Sequence, residues 1–86
     1  MADPVSWLVV ERGWEVVDRD GGKVGQVEET LGDENADIFN GLVVATSLIG
    51  DPRYVSAEDV AEIEEGRVHL ALAPTEVDRL PKHEAS

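Results

Sequence analysis

Two β-rich runs frame a glycine pair near the start of the chain. Trp14-Glu15-Val16-Val17-Asp18 stands before Asp20-Gly21-Gly22, and Lys23 to Leu31 follows it. Glycine supplies the positive φ that tight hairpin turns need, so the pattern predicts two antiparallel strands. In the second run Val27 and Leu31 take different strand positions from Glu28 and Thr30, as in a strand with one wet face. Gly32 to Asp37 reads as a polar loop. Ile38-Phe39-Asn40-Gly41-Leu42-Val43-Val44-Ala45 is the most apolar stretch and is expected to be the central strand. Gly41 inside it marks a bulge or a close backbone approach.

Gly50-Asp51-Pro52 is a turn signal, and Tyr54-Val55 adds a short extended piece. Ser56-Ala57-Glu58-Asp59 reads as a capped helical turn with Ser56 as N-cap. The next residues allow two readings: a short helix lined by Ala57, Val60, Ala61 and Ile63, or a strand over Val60 to Glu64 that turns at Glu65-Gly66. The hairpin is preferred, because Val68, Leu70 and Leu72 give a clear following strand with one apolar face. Pro74 to Pro81 reads as a short terminal helix with Thr75 as its cap and Val77 and Leu80 docking. Val5 to Val10 is apolar without clear period and fits a strand or a short helix. No repeat of solenoid length is present. About six short strands with a short C-terminal helix predict a mainly β fold, either a small barrel or a strongly bent sheet.

Composition narrows the function classes. The chain has 86 residues, 42% hydrophobic and 30% charged. It is expected to form one domain over residues 1–81 with a flexible tail over 82–86. No apolar run approaches the roughly 20 residues that span a bilayer. Met1-Ala2-Asp3-Pro4 lacks a basic n-region, so a secretory leader is not expected and the cytoplasm is the default location. The formal net charge is -12. Phosphate binding needs Lys and Arg to displace counterions, and a surface this negative repels nucleic acid and anionic lipid. With no cysteine, disulfides, thiolate chemistry and cysteine-ligated metals are excluded.

Residues Gly13 to Asp18, followed by Asp20-Gly21-Gly22-Lys23-Val24-Gly25-Gln26-Val27, resemble the opening hairpin of PRC-barrel domains. Tyr54 to Val60 is similar to the segment before that family's last hairpin, and Val68 to Leu72 to its final strand. The resemblance spans roughly Gly13 to Leu80. It implies a compact barrel of about six strands that serves assembly and protein contact, with no catalytic motif to carry over. Such barrels occur in the photosynthetic reaction-centre H subunit and in a ribosome-maturation factor family. The expectation here is a free-standing module with neither specific role.

Candidate chemistry is sparse. Asp18, Asp20 and Glu29 sit at positions 1, 3 and 12 of a calcium-loop template, but Gly22 and Lys23 fill its places 5 and 6. The hairpin turn accounts for both aspartates. Asp33, Glu34, Asn35 and Asp37 offer hard oxygens of the kind that hold a divalent cation, or form a solvated loop. His69 is expected to point outward from its strand, and His83 lies in the tail. Neither stands in a hydrolase context. Glu58, Asp59, Glu62, Glu64 and Glu65 read as a solvated face, with a docking patch for a basic partner as the second reading. General acid–base work would need one carboxyl with a raised pKa. Gly21, Gly22 and Gly25 lack the Lys-Ser/Thr and the helix of a phosphate loop. Trp14 is expected to pack in the core. Trp7, beside Leu8, is the interface candidate, because aromatics are enriched in binding hot spots.

The expected function is a non-catalytic binding or assembly module without cofactor or metal. Its interaction residues are Trp7, Leu8, Glu58, Asp59 and Glu62, and its partner is a protein, with a two-fold dimer among the options. The alternative is an ion-binding or stress-related accessory protein that uses its acidic loops.

Overall fold

A computed structural model describes residues 7–33, 35–36, 38–46 and 52–81. The predicted tail with His83, the first residues of the N-terminal segment, Glu34, Asp37 and most of the predicted turn at 47–52 lie outside the described residues. Six strands make one mixed sheet: β1 (Glu15–Val17), β2 (Lys23–Asp33), β3 (Ile38–Ala45), β4 (Arg53–Ser56), β5 (Val60–Glu64) and β6 (Arg67–Leu70). A 3-10 turn over Trp7–Val9 precedes β1, and a second over Ala57–Asp59 joins β4 to β5. One helical turn, α1 (Pro74–Val77), follows β6.

The β1–β2 hairpin forms where the glycine pair predicts it. The Asp18 carboxylate closes the turn by accepting the N–H groups of Asp20 and Gly22, each at 2.9 Å. Gly21 supplies the positive φ of +87°. β2 runs two residues beyond the expected strand, because Gly32 and Asp33 pair with Phe39 and Ile38. Bulges between Val27 and Glu29 and between Leu31 and Gly32 bend this long strand. Gly41 is a close approach: a Cβ there would collide with the Val55 carbonyl of β4.

The strand order is β4-β3-β2-β1-β6-β5, with β1 and β6 parallel and every other pair antiparallel. β3 is an interior strand next to β4, rather than the centre of the sheet. The expected barrel does not close, and β4 and β5 remain as edges. The physical reason lies at β4. Its Tyr54 N–H donates to the Pro81 carbonyl at 2.9 Å, and the Arg53 guanidinium donates to the Leu80 carbonyl at 2.7 Å. The C-terminal segment thus occupies the edge that a closing strand would need.

The alternative left open over Val60 to Glu64 resolves as a strand that pairs with β6. Ser56 caps the turn before it, accepting the Glu58 N–H at 3.4 Å. Thr75 does not cap α1. Ala73 holds the N-cap position, Pro74 opens the helix, and the Glu76 carboxylate accepts the Ala73 N–H at 3.0 Å. Proline fits the first helical position, where its missing N–H costs nothing. The core collects Val16, Val27, Leu42, Val55, Val68 and Leu70 from five strands, and Leu72 and Leu80 close over it.

Candidate apolar groove at the open sheet edge

The site begins with a steric detail of the β2–β3 hairpin. Gly32 pairs with Phe39, and a Cβ at position 32 would stand 2.9 Å from Cη2 of Trp7. The missing side chain makes a seat for the indole. Trp7 lies on Phe39 with ring centroids 5.3 Å apart and planes 17° apart, an offset-stacking distance. Both rings are half-buried and pack against the core.

From this stack a groove of about 620 Å³ runs to the edge strand. Its other walls are Ala57 of the second 3-10 turn and Val60, Ala61, Glu62 and Ile63 of β5. Apolar side chains dominate, and Glu62 is the one charged residue among the lining positions.

The sequence-predicted interaction residues divide. Trp7 and Glu62 line the same groove. Glu58 and Asp59 sit in the 3-10 turn whose Ala57 also lines it. The Asp59 carbonyl is engaged by the Ala71 N–H at 2.7 Å. Leu8 is 48% exposed, next to Val9 at 49%, and lies outside the groove lining. Phe39 and Gly32 carry the geometry but have no signal of their own in the sequence. A register set by two bulges is what brings them under Trp7. Trp14 packs half-buried against the core.

The acid cluster also splits. Glu64 turns away from the groove toward His69, whose Nε2 lies 2.7 Å from its Oε1, with Arg67 Nη1 at 4.0 Å. The hydrogen bond to His69, helped by the charges of His69 and Arg67, holds the Glu64 carboxyl below the usual glutamate range. A general acid needs the opposite shift. Arg67 also reaches Glu15 at 3.5 Å across the parallel pair. Glu62 has no ion pair among the described residues.

Asp33 spends its carboxylate on the N–H groups of Asn35 at 3.0 Å and Ala36 at 3.4 Å, as a turn residue does. Among the described residues no three His, Asp or Glu side chains stand together in a way that would hold a metal ion. A second hollow, of about 360 Å³, has Asp18, Lys23, Arg53 and Asp78 on its walls. Its walls carry two cations and two carboxylates, and Arg53 is committed to the Leu80 carbonyl. Among the described residues no helix is long and apolar enough to cross a membrane.

The fold and groove define a small β domain with an open mixed sheet and an apolar hollow at one edge. Over residues 10–78 the sequence matches the family described as an uncharacterized protein conserved in bacteria (DUF2171). The chain belongs to that family. This corrects the PRC-barrel resemblance: no PRC-barrel family matches, and the open sheet agrees with that correction. Asp-Gly turns and Gly-x-x-Val strands recur wherever a short hairpin needs them, so they misled. A search of curated proteins finds no match. The β3 and β5 walls of the groove fall inside the matched residues, and Trp7 falls before them.

Proposed function

We infer that this chain is a non-catalytic protein-binding or assembly module, and that the groove between the Trp7–Phe39 stack and β5 is its binding surface. The observation that carries this reading is the apolar groove itself, with a stacked aromatic pair on one side and a sheet edge on the other. Protein interfaces concentrate their energy in aromatic anchors within apolar pockets, ringed by polar groups. The groove asks of a partner only apolar side chains and a group that suits Glu62. The acidity of the chain favours a cationic protein and disfavours nucleic acid. The reading takes the partner to be a cytoplasmic protein.

The test is affinity capture from the source cells with the intact chain as bait, run beside Ala61→Arg. Ala61 is exposed, so arginine there fills the groove without entering the core. A protein retained by the wild type and lost with Ala61→Arg supports the reading. Equal retention by both moves the binding surface elsewhere. Sedimentation of the wild type runs in parallel. A dimer that Ala61→Arg dissolves would make the partner a second copy.

A further inference from the structure

The two edges of the sheet are not alike. The β4 edge is covered by the Leu80–Pro81 segment. β5 pairs with β6 on one side, with a bulge between Val60 and Glu62; on its other side the Val60 N–H is taken by the Ala57 carbonyl, and over Ala61 to Glu64 no backbone hydrogen bond to a further strand is made among the described residues. An uncovered edge offers a row of N–H and C=O groups to any extended chain of suitable side chains. Here that row runs along the wall of the apolar groove. Side chains of an added strand would alternate between the two faces. One set would meet Ile63 and the Trp7–Phe39 stack, and the other would reach Glu62, which lines the same groove.

The charges decide which strand fits. Antiparallel pairing of two β5 strands centred on Glu62 would set Glu62 against Glu62, and like charges directly opposite are destabilising. Each copy also carries a net charge of -12. The edge thus disfavours a second copy while leaving a carboxylate without an ion-pair partner among the described residues. Glu64 does not compete, because it is taken up by His69 and Arg67. We propose that β5 accepts an extended segment of another protein as a seventh strand, with alternating apolar and basic residues: the apolar ones fill the groove and a lysine or arginine pairs with Glu62. This rests on the binding-module reading and gives it a mode and a partner chemistry.

The probe is a capped octapeptide of alternating lysine and valine, added to the isotope-labelled full chain at physiological salt. Beside it runs the same peptide with alternate backbone N–H groups methylated. Expected are amide shifts along Val60 to Glu64 and at Phe39, and slower hydrogen exchange in β5. The methylated peptide binds weaker by about tenfold, as losing one or two net hydrogen bonds implies. Glu62→Lys weakens the unmodified peptide as well.

Shifts at Phe39 with unchanged β5 exchange and equal binding of the methylated peptide overturn strand addition, yet leave the groove as a binding surface. Shifts scattered over the acidic surface, or none at millimolar peptide, overturn the proposal outright. The capture experiment judges the binding-module reading independently. The proposal also falls if β5 amides in the free chain exchange slowly and become fast on deleting residues 1–6 or 82–86. The chain itself would then cover that edge.

Discussion

Replacing Trp7 by alanine tests the stack that shapes the groove. A buried aromatic covers roughly 150–250 Å², so a half-buried indole removes on the order of 100 Å² of apolar surface from water. At about 25 cal/mol/Å² that is worth about 2.5 kcal/mol. A domain of 86 residues has a total stability of only about 4–13 kcal/mol, so the loss is large. At about 4–8 °C per kcal/mol, Trp7→Ala should lower Tm by about 10–20 °C. The single variant mixes every contact of the ring. A double-mutant cycle with Phe39→Ala isolates the pair, and stacked aromatics give a coupling of about 0.5–1.5 kcal/mol. Urea unfolding of the wild type, both single variants and the double variant supplies the numbers. Effects that add within about 0.3 kcal/mol would mean that the rings do not hold each other, and the geometry assigned to the groove would be wrong.

Three further outcomes follow from local geometry. Gly41→Ala forces a methyl group into the Val55 carbonyl and within 3.0 Å of the Tyr54 hydroxyl; urea unfolding should show a loss of about 1–3 kcal/mol, as overpacking typically costs. Asp18→Ala removes the acceptor for the Asp20 and Gly22 N–H groups; it should cost about 1–3 kcal/mol in the same assay and speed hydrogen exchange at those two amides. The Glu64 carboxyl is held below its ordinary value of 4.5 by His69. A lowered folded-state pKa gives stability that is present above the unfolded value and lost as pH falls through the folded one. The Tm gap between wild type and Glu64→Gln should therefore be open at pH 6 and shrink as pH falls below 4.5; a gap that widens with acid would reverse the sign of the interaction.

The readable parts of the fold were the ones decided by neighbours in sequence. Asp18, Gly21 and Gly22 build their turn within five residues, and Val68 and Leu70 carry the alternation of β6, although that strand stops before Leu72. That the sheet stays open was not legible. It depends on Leu80 and Pro81 reaching β4, 27 residues away for the Arg53 bond, and no local pattern encodes that reach. Thr75 looked like the cap because its hydroxyl suits the role, but Pro74 sets the helix start two residues earlier, with Ala73 at the N-cap. In the groove, Trp7 stood out as an aromatic in an apolar segment, and Glu62 only as one acid among several. Phe39 and Gly32 were hidden, because bulges in β2 set the register that joins them. The family resemblance failed for a related reason: turn chemistry repeats across unrelated folds, whereas edge pairing distinguishes them.

The proposed meeting place of this protein and its partner is the groove at Trp7, Phe39 and β5. The most direct measurement is the Kd of the purified captured protein for the wild-type chain and for Ala61→Arg, by calorimetry at fixed salt. Truncating or blocking a hot spot costs about 2 kcal/mol or more, so Ala61→Arg should bind about thirtyfold weaker or more, with its melting curve unchanged. Equal Kd values for the two chains would contradict it.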